Sequence, residues 1–223
     1  MKTVDFHAHI LPAADHGCAD VRTSIKQLNL AKQANVDTVI ATPHFYPQFE
    51  SIEEFLTRRK QCSQKLAEAI FDKDLPEVLV GAEVQLCPNM DRLEGLHRLC
   101  VNGTNILLLE LPPHYSLRTF DNVIDSLIYG QKLKVVLAHI DRYPSAHVNF
   151  LLDSGCLAQI NADALCHFRS ARRCKQWLQT DSVVALGSDI HGTEHGYQDF
   201  LKAKERLGKT FGQIMSRTEA LLK

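Results

Sequence analysis

Seven short apolar runs recur along the chain: TVDFHAHI, VDTVIATPH, EVLVGAEV, TNILLLELP, KVVLAHI, CLAQINA and SVVALGSDIH, each followed by a longer amphipathic stretch. Continuous Val/Ile/Leu segments of this kind are expected of strands buried on both faces, as in a parallel sheet covered by helices. The intervening stretches 20–34, 51–72 and 116–130 carry helical periodicity, and the second opens with a capping box, Ser51 to Glu54. Strand then helix, seven times over, predicts an α/β fold, either a β/α barrel or a doubly wound sheet. No linker, low-complexity tract or repeat divides the chain, so residues 1–223 are expected to form a single domain.

The polar residues that end these runs are the informative ones. The first run ends at His7 and His9, which share one face of an extended strand; the second ends at His44, the third at Glu83, the fourth at Glu110, the fifth at His139 and the seventh at Asp189 and His191. In a β/α barrel the C-terminal strand ends converge on one face, where such folds carry their active sites. A single histidine or glutamate at a strand end is ordinarily a hydrogen-bonded structural residue. Carboxylates and imidazoles gathered at an apolar mouth would cost several kcal/mol in desolvation and repulsion, and cations remove that cost. The donor set holds imidazole and carboxylate with no evident thiolate, which suits Mn, Fe or Zn, and it exceeds what one or two tetrahedral ions need. Asp15 and His16, just before Gly17, are within reach of the same cluster. His97, His114, His147, His167 and His195 lack this placement and are expected to face solvent.

Composition narrows the class. The 25 Lys and Arg against 26 Asp and Glu give a formal net charge of -1, so there is no basic field to recruit nucleic acid or an anionic membrane. No run approaches the roughly 18 apolar residues of a membrane span, and no signal-peptide core opens the chain. The seven cysteines are irregularly spaced with no C-x-x-C, which argues against a disulfide framework and a zinc ribbon, and fits a reducing cytoplasm.

HAH, TPH, GAE, LELP, AHIDRY and GSDIH, in this order, resemble the PHP (polymerase and histidinol phosphatase) metallophosphoesterases, and most closely the bacterial capsule-biosynthesis branch of manganese-dependent protein-tyrosine phosphatases. The resemblance runs from residue 3 to about 192. It implies a distorted seven-stranded (β/α)7 TIM-like barrel carrying three divalent ions, Mn with Fe or Zn as alternatives. By motif, His7, His9, Glu83 and Asp189 would hold one ion; Glu83 would bridge to a second held by Glu110 and His139; His44, His191 and His16 would hold the third. The relatives carry Asp-Asp-Gly where this chain has Asp15-His16-Gly17, so Asp15 is the reserve ligand. Arg142 of AHIDRY matches an arginine that grips a phosphate oxygen; the alternative for it is an ion pair with Asp141 or a helix-start contact. The implied activity is hydrolysis of phosphomonoesters by a metal-bound hydroxide. The implied substrate is a phosphotyrosyl protein, with an autophosphorylating tyrosine kinase of polysaccharide export as partner.

Two departures bear on the substrate. After GSDIHG the relatives carry a further basic residue where this chain reads TEHGYQD, and the segment DALCHFRSARRCKQWLQ is shorter than theirs. Histidinol phosphate or a nucleotide is therefore the alternative substrate. Two rival chemistries are also legible. Cys166-x5-Arg172 formally fits a cysteine phosphatase loop, yet HFRSA has no glycine and leads into a helical pattern. Metal-dependent amidohydrolases also begin with H-x-H, but bridge their ions through a modified lysine on the fourth strand, where this chain has Glu110. The basic group Arg169, Arg172, Arg173 and Lys175 reads as a solvated helix face.

Overall fold

A computed structural model describes residues 2–113, 120–193 and 196–223. Every strand pairing in it is parallel. β1 (Val4–Ala8), β2 (Thr38–Ala41) and β4 (Glu77–Val80) form one sheet in that order. β3 (His44–Phe45), β5 (Glu83–Gln85), β6 (Ile106–Glu110), β7 (Lys134–Leu137), β8 (Leu157–Asn161) and β9 (Val183–Gly187) form the second. The order advances with the chain within each sheet, whereas a doubly wound sheet reverses at a switch point. Beyond the strand ends β1 meets the last run directly: Asp189 N–H donates to His7 O at 2.7 Å, His9 N–H donates to Ile190 O at 3.0 Å, and Ala8 bridges Ile190.

The seven runs thus yield nine short strands, because the second and third each break once. Pro43 has no N–H to place in a ladder. The second run therefore hands over there, with Thr42 N–H on Ala8 O at 3.0 Å before the break and Pro43 O accepting from Glu83 N–H at 3.1 Å after it. The third run breaks at Gly81 and Ala82, and Gly81 N–H reaches back to Ala41 O at 2.8 Å. These paired breaks carry His44 and Glu83 from the first sheet into the second, where they stand opposite each other in register.

The helices cover the sheets as their patterns predict. α1 (Val21–Gln33) starts at Asp20, whose side chain accepts from Thr23 N–H. α2 (Ile52–Ile70) carries the predicted box, Ser51 Oγ accepting from Glu54 N–H and Glu54 Oε2 from Ser51 N–H, and buries Phe55, Cys62 and Leu66. The third helical pattern is shorter: residues 116–119 lie outside the described residues, and α3 (Asp121–Asp125) runs into a π-helical turn, Ser126–Gly130. α4 (Ser145–Asp153), α5 (Phe168–Leu178), α6 (Gly196–Leu207) and α7 (Lys209–Leu221) complete the chain. In α7, Phe211, Ile214 and Met215 are buried, and Thr218 Oγ1 donates to Val184 O of β9. The central strands are buried on both faces, with Val39, Ile40, Leu107, Leu108, Val136, Ile160 and Leu186 all fully covered. All seven cysteines are free thiols, and among the described residues no helix is long and apolar enough to cross a membrane.

Gly187 ends β9 where the backbone passes so close to β1 that a Cβ there would stand 2.6 Å from His7 Cβ and 2.6 Å from Gln159 Nε2. Both neighbours are fully buried and have no room to retreat. Gly187→Ala should therefore destabilise the protein by about 1–3 kcal/mol, as overpacking does, read as a lower urea midpoint at unchanged slope.

Candidate metal centre

The strand ends and the loop after β1 deliver nine of the sequence-selected side chains to one face. Glu83, 1% exposed, occupies the middle. Its Oε2 lies 3.2 Å from His7 Nε2, 3.3 Å from His9 Nε2 and 2.9 Å from His44 Nδ1; its Oε1 lies 2.8 Å from His139 Nε2. Asp189 Oδ1 stands 3.6 Å from His7 Nε2 and 3.5 Å from His9 Nε2, which are themselves 3.1 Å apart. Glu110 Oε1 is 3.7 Å from His139 Nε2. On the outer side, the His16 ring is stacked 4.7 Å from both His44 and His191.

The histidine tautomers follow from their partners. Gln159 Oε1 accepts from the backbone N–H of His139 at 2.7 Å, so it is an oxygen facing His7 Nδ1 at 3.2 Å, and that nitrogen carries the hydrogen. His9 Nδ1 donates to Asp15 Oδ2 at 2.7 Å, and His191 Nδ1 donates to the backbone oxygen of Asp189 at 2.9 Å. In their neutral forms all three present Nε2 as the lone-pair nitrogen, the arrangement that outer hydrogen bonds impose on metal-ligating imidazoles.

The donor set fits divalent ions. Ligand atoms held about 2.0–2.2 Å from one ion stand roughly 3–3.5 Å from each other, close to the spacing among His7, His9, Glu83 and Asp189. Three buried atoms of the cluster, Glu83 Oε2, His44 Nδ1 and His139 Nδ1, have no aligned hydrogen-bond partner. An anionic oxygen surrounded by nitrogens without a hydrogen bond is unfavourable unless a cation meets it. Sets of ligand atoms within 4.8 Å of one another comprise His7, His9 and Asp189; His44, Glu83 and Glu110; and His9, His44 and His191. His44 thus stands between the second and third groups, and His9 joins the third, more sharing than the motif-based division predicts.

The family described as capsular polysaccharide synthesis, CpsB/CapC, matches residues 3–221. The chain belongs to this family. It is 30% identical over 226 aligned residues to the tyrosine-protein phosphatase YwqE of Bacillus subtilis (strain 168), an alignment spanning 94% of this chain and 85% of that protein. A solved structure from work on YwqE of Bacillus subtilis and CpsB of Streptococcus pneumoniae, described there as metal-dependent tyrosine phosphatases, is similar with a TM-score of 0.83, 22% identity, and coverage of 99% of this chain and 94% of that one. A histidinol phosphate phosphatase from Lactococcus lactis, solved with zinc, L-histidinol and phosphate, is similar with a TM-score of 0.58 at 11% identity, covering 93% of this chain and 94% of that one. These two structural likenesses are likenesses of fold.

Charge in this CpsB/CapC centre is strongly correlated. Burial opposes every ion here, yet His7 and His139 hold the Glu83 carboxyl well below its usual range, and His7, His9 and Arg142 do the same for Asp189. Against the same burial, Glu83, Asp189 and Asp15 raise His7 and His9. Burial and the neighbouring His9 hold His191 down to about 4, so it is neutral across the physiological range. Glu110 is raised by burial and by the Glu83 charge.

Several residues change role from the sequence expectation. Asp15, the reserve ligand, accepts from His9 Nδ1, His44 N–H and Gly17 N–H, while the His16 ring stacks on His44. Arg142 pairs with Asp189 Oδ2 at 2.5 Å and not with Asp141, whose Oδ1 accepts from Asn161 N–H. His147 is half-buried where exposure was expected, because it packs at a cavity beside Glu110; His97 and His167 are exposed, and His114 and His195 lie outside the described residues. Arg169, Arg172, Arg173 and Lys175 of the basic group are all exposed, as expected, and Arg173 also donates to Asp141 O. Cys166 lies in a short turn leading into α5, its thiol raised by burial and by Asp199, the opposite of what a thiolate nucleophile needs.

Buried polar residues that no motif marks hold the candidate ligands in place. Gln159 and Asn161 of β8 are buried and linked, Gln159 Nε2 donating to Asn161 Oδ1 at 2.8 Å and Asn161 Nδ2 to Asp189 Oδ2 at 3.0 Å. Asp5 accepts from Ser188 Oγ at 2.6 Å, Ser188 N–H at 2.8 Å and Tyr197 OH at 2.8 Å, fastening the first run to the last. The signal for both was strand alternation: Asp5 shares a face with His7 and His9, as Gln159 does with Asn161.

Glu83→Gln should leave the fold intact and lower the bound metal by at least one ion per chain, counted by atomic-emission analysis after gel filtration. Loading also displaces protons from His7 and His9, whose carboxylate neighbours raise them, so affinity should already fall as the pH drops from above the ordinary imidazole range. Titration calorimetry in buffers of different ionisation enthalpy reads the protons released.

Proposed function

We propose that this chain is a metal-dependent phosphomonoesterase of the protein-tyrosine phosphatase type, acting in capsular or exopolysaccharide synthesis, on a distorted barrel closed through Ala8 and Ile190. The observation that carries the reading is Glu83 Oε2, buried without a hydrogen-bond partner among three imidazole nitrogens at 2.9–3.3 Å. The family match and the tyrosine-protein phosphatase YwqE as a relative supply the substrate class. An autophosphorylating tyrosine kinase of polysaccharide export is the partner this reading implies.

In the proposed centre three divalent ions, Mn or alternatively Fe or Zn, are held as follows: one by His7, His9, Glu83 and Asp189; a second by Glu83, Glu110 and His139, with His44 beside it; a third by His16, His44 and His191. Bound there, such ions acidify water and neutralise phosphoryl charge. The chain's own residues fix the geometry. Gln159 and Asp15 hold the rings of His7 and His9 so that neither must reorganise during turnover. Arg142, half-exposed, is tethered to Asp189 through one amino group, and its remaining donors meet a phosphoryl oxygen in the planar fork that suits a phosphate. A phenolate leaves with little protonation, so no dedicated general acid is required of the chain.

Phosphate release from a phosphotyrosyl peptide should depend on Mn²⁺ and stop on chelation. Glu83→Ala should nearly abolish it, Arg142→Ala should lower kcat/KM about 100-fold, the loss typical of one oxyanion-stabilising donor, and Cys166→Ser should retain full activity. Release that survives chelation would return attention to Cys166, and release from histidinol phosphate alone would reassign the substrate.

A further inference from the structure

Arg142 borders two openings that lead outward from the cluster. One, about 190 Å³, is lined by Asn161, Asp163, Ser188, Asp189 and Asp199. The other, about 540 Å³, lies between the loops after β6 and β7, with Glu110 and His139 at its inner end and Leu111, Pro112, Pro113, Tyr143, Pro144 and His147 around it. Each touches candidate ligands, Asp189 in the first and Glu110 and His139 in the second, so each offers a path for the organic group of a phosphoester. In an in-line displacement the leaving group points away from the attacking oxygen, so its exit is fixed by the walls and not by the chemistry.

The two openings differ in chemistry. The narrow one carries three carboxylates, which repel an anionic ester, and among the described residues Ile190 is the one hydrophobic side chain in its lining. The wide one presents three prolyl rings and one tyrosyl ring, flat faces that match the width of an aromatic ring and bury it without leaving polar groups unpaired. It is also preorganised: Tyr143 OH accepts from Leu111 N–H at 3.0 Å, tying its two loops together, and the Tyr143 ring lies 5.5 Å from that of His139.

We propose that the cavity walled by Pro112, Pro113, Tyr143 and Pro144 is the subsite for the aryl group of the phosphoester. It gives the centre a preference for aryl over short alkyl phosphates, because a seryl ester is too short to fill it while its phosphate rests on the recessed ligands. This inference rests on the metallophosphatase reading above and adds the side from which substrate enters.

The test uses the full chain loaded with Zn²⁺, which is diamagnetic, and two ligands that cannot be hydrolysed, phenylphosphonate and methylphosphonate. Calorimetry should show phenylphosphonate binding at least tenfold tighter. Proton NMR should show contacts from its ring to Pro112, Pro113 and Tyr143, and His147→Trp, which narrows the mouth, should cut the phenyl-to-methyl affinity ratio. Methylphosphonate binding with no gain from the ring, or ring contacts to Asn161 and Asp163 instead, overturns the subsite alone. If neither phosphonate binds, the metallophosphatase reading falls with it.

Discussion

The buried carboxylate of Glu83 constrains everything around it, because an anion 1% exposed to solvent is tolerated only while positive charge or strong donors enclose it. Four imidazoles from three separate runs do so, and each must arrive with the correct nitrogen inward. That requirement accounts for much of the polar architecture outside the cluster. Asp15 fixes His9, Gln159 fixes His7 and the His139 backbone, and Asp5 binds Ser188 so that the run bearing Asp189 and His191 docks against β1. The apolar strands form a frame, and a second layer of buried polar groups sets the tolerances within it.

The backbone shows where the frame is forced. His139 and Asp189, both just past the ends of their strands, have φ of 32° and 52°, a region costly for residues with a Cβ, at about 1–3 kcal/mol each. Both are over-determined by hydrogen bonds that arise elsewhere, His139 N–H to Gln159 Oε1 and Asp189 N–H to His7 O, each 2.7 Å. Close approach on the other side makes the same point. A Cβ at Gly17 would stand 2.4 Å from His9 O, as one at Gly187 would crowd His7, so each histidine of H-x-H is pressed by a glycine, one from the loop just after it and one from the far end of the chain. Stability is given up locally to bring the ligands within reach of one another.

What could be read from the sequence follows the same division. Residues that end apolar runs were legible, because strand burial and parallel winding send run ends to one face; this located His7, His9, His44, Glu83, Glu110, His139, Asp189 and His191. The breaks at Pro43 and Gly81 were not, since proline and glycine in a strand-like run signal interruption without saying that pairing resumes in a second sheet. Gln159 and Asn161 went unseen because an amide at a strand end resembles no ligand. The pairing of Arg142 with Asp189 joins residues 47 apart in sequence, and the neighbouring Asp141 offered an equally plausible partner until Asn161 proved to occupy it.

That pairing also bears on how ligand and substrate sites are joined. Asp189 divides its two oxygens, Oδ1 toward His7 and His9 and Oδ2 toward Arg142 and Asn161, so one carboxylate touches both the candidate metal ligands and the cation proposed to meet phosphate. A guanidinium serves this position because its donors form a rigid fork: one amino group stays on Asp189 while the others face outward. An ammonium at the same point would have to divide a single charge centre between carboxylate and phosphate, and each would weaken its hold on the other. Replacing Arg142 by lysine is therefore not conservative, although charge and approximate length are kept. The geometry of Asp189 lets the arginine clamp a candidate ligand and, on the proposed reading, still meet substrate, and holding both roles requires a group with more than one directed donor.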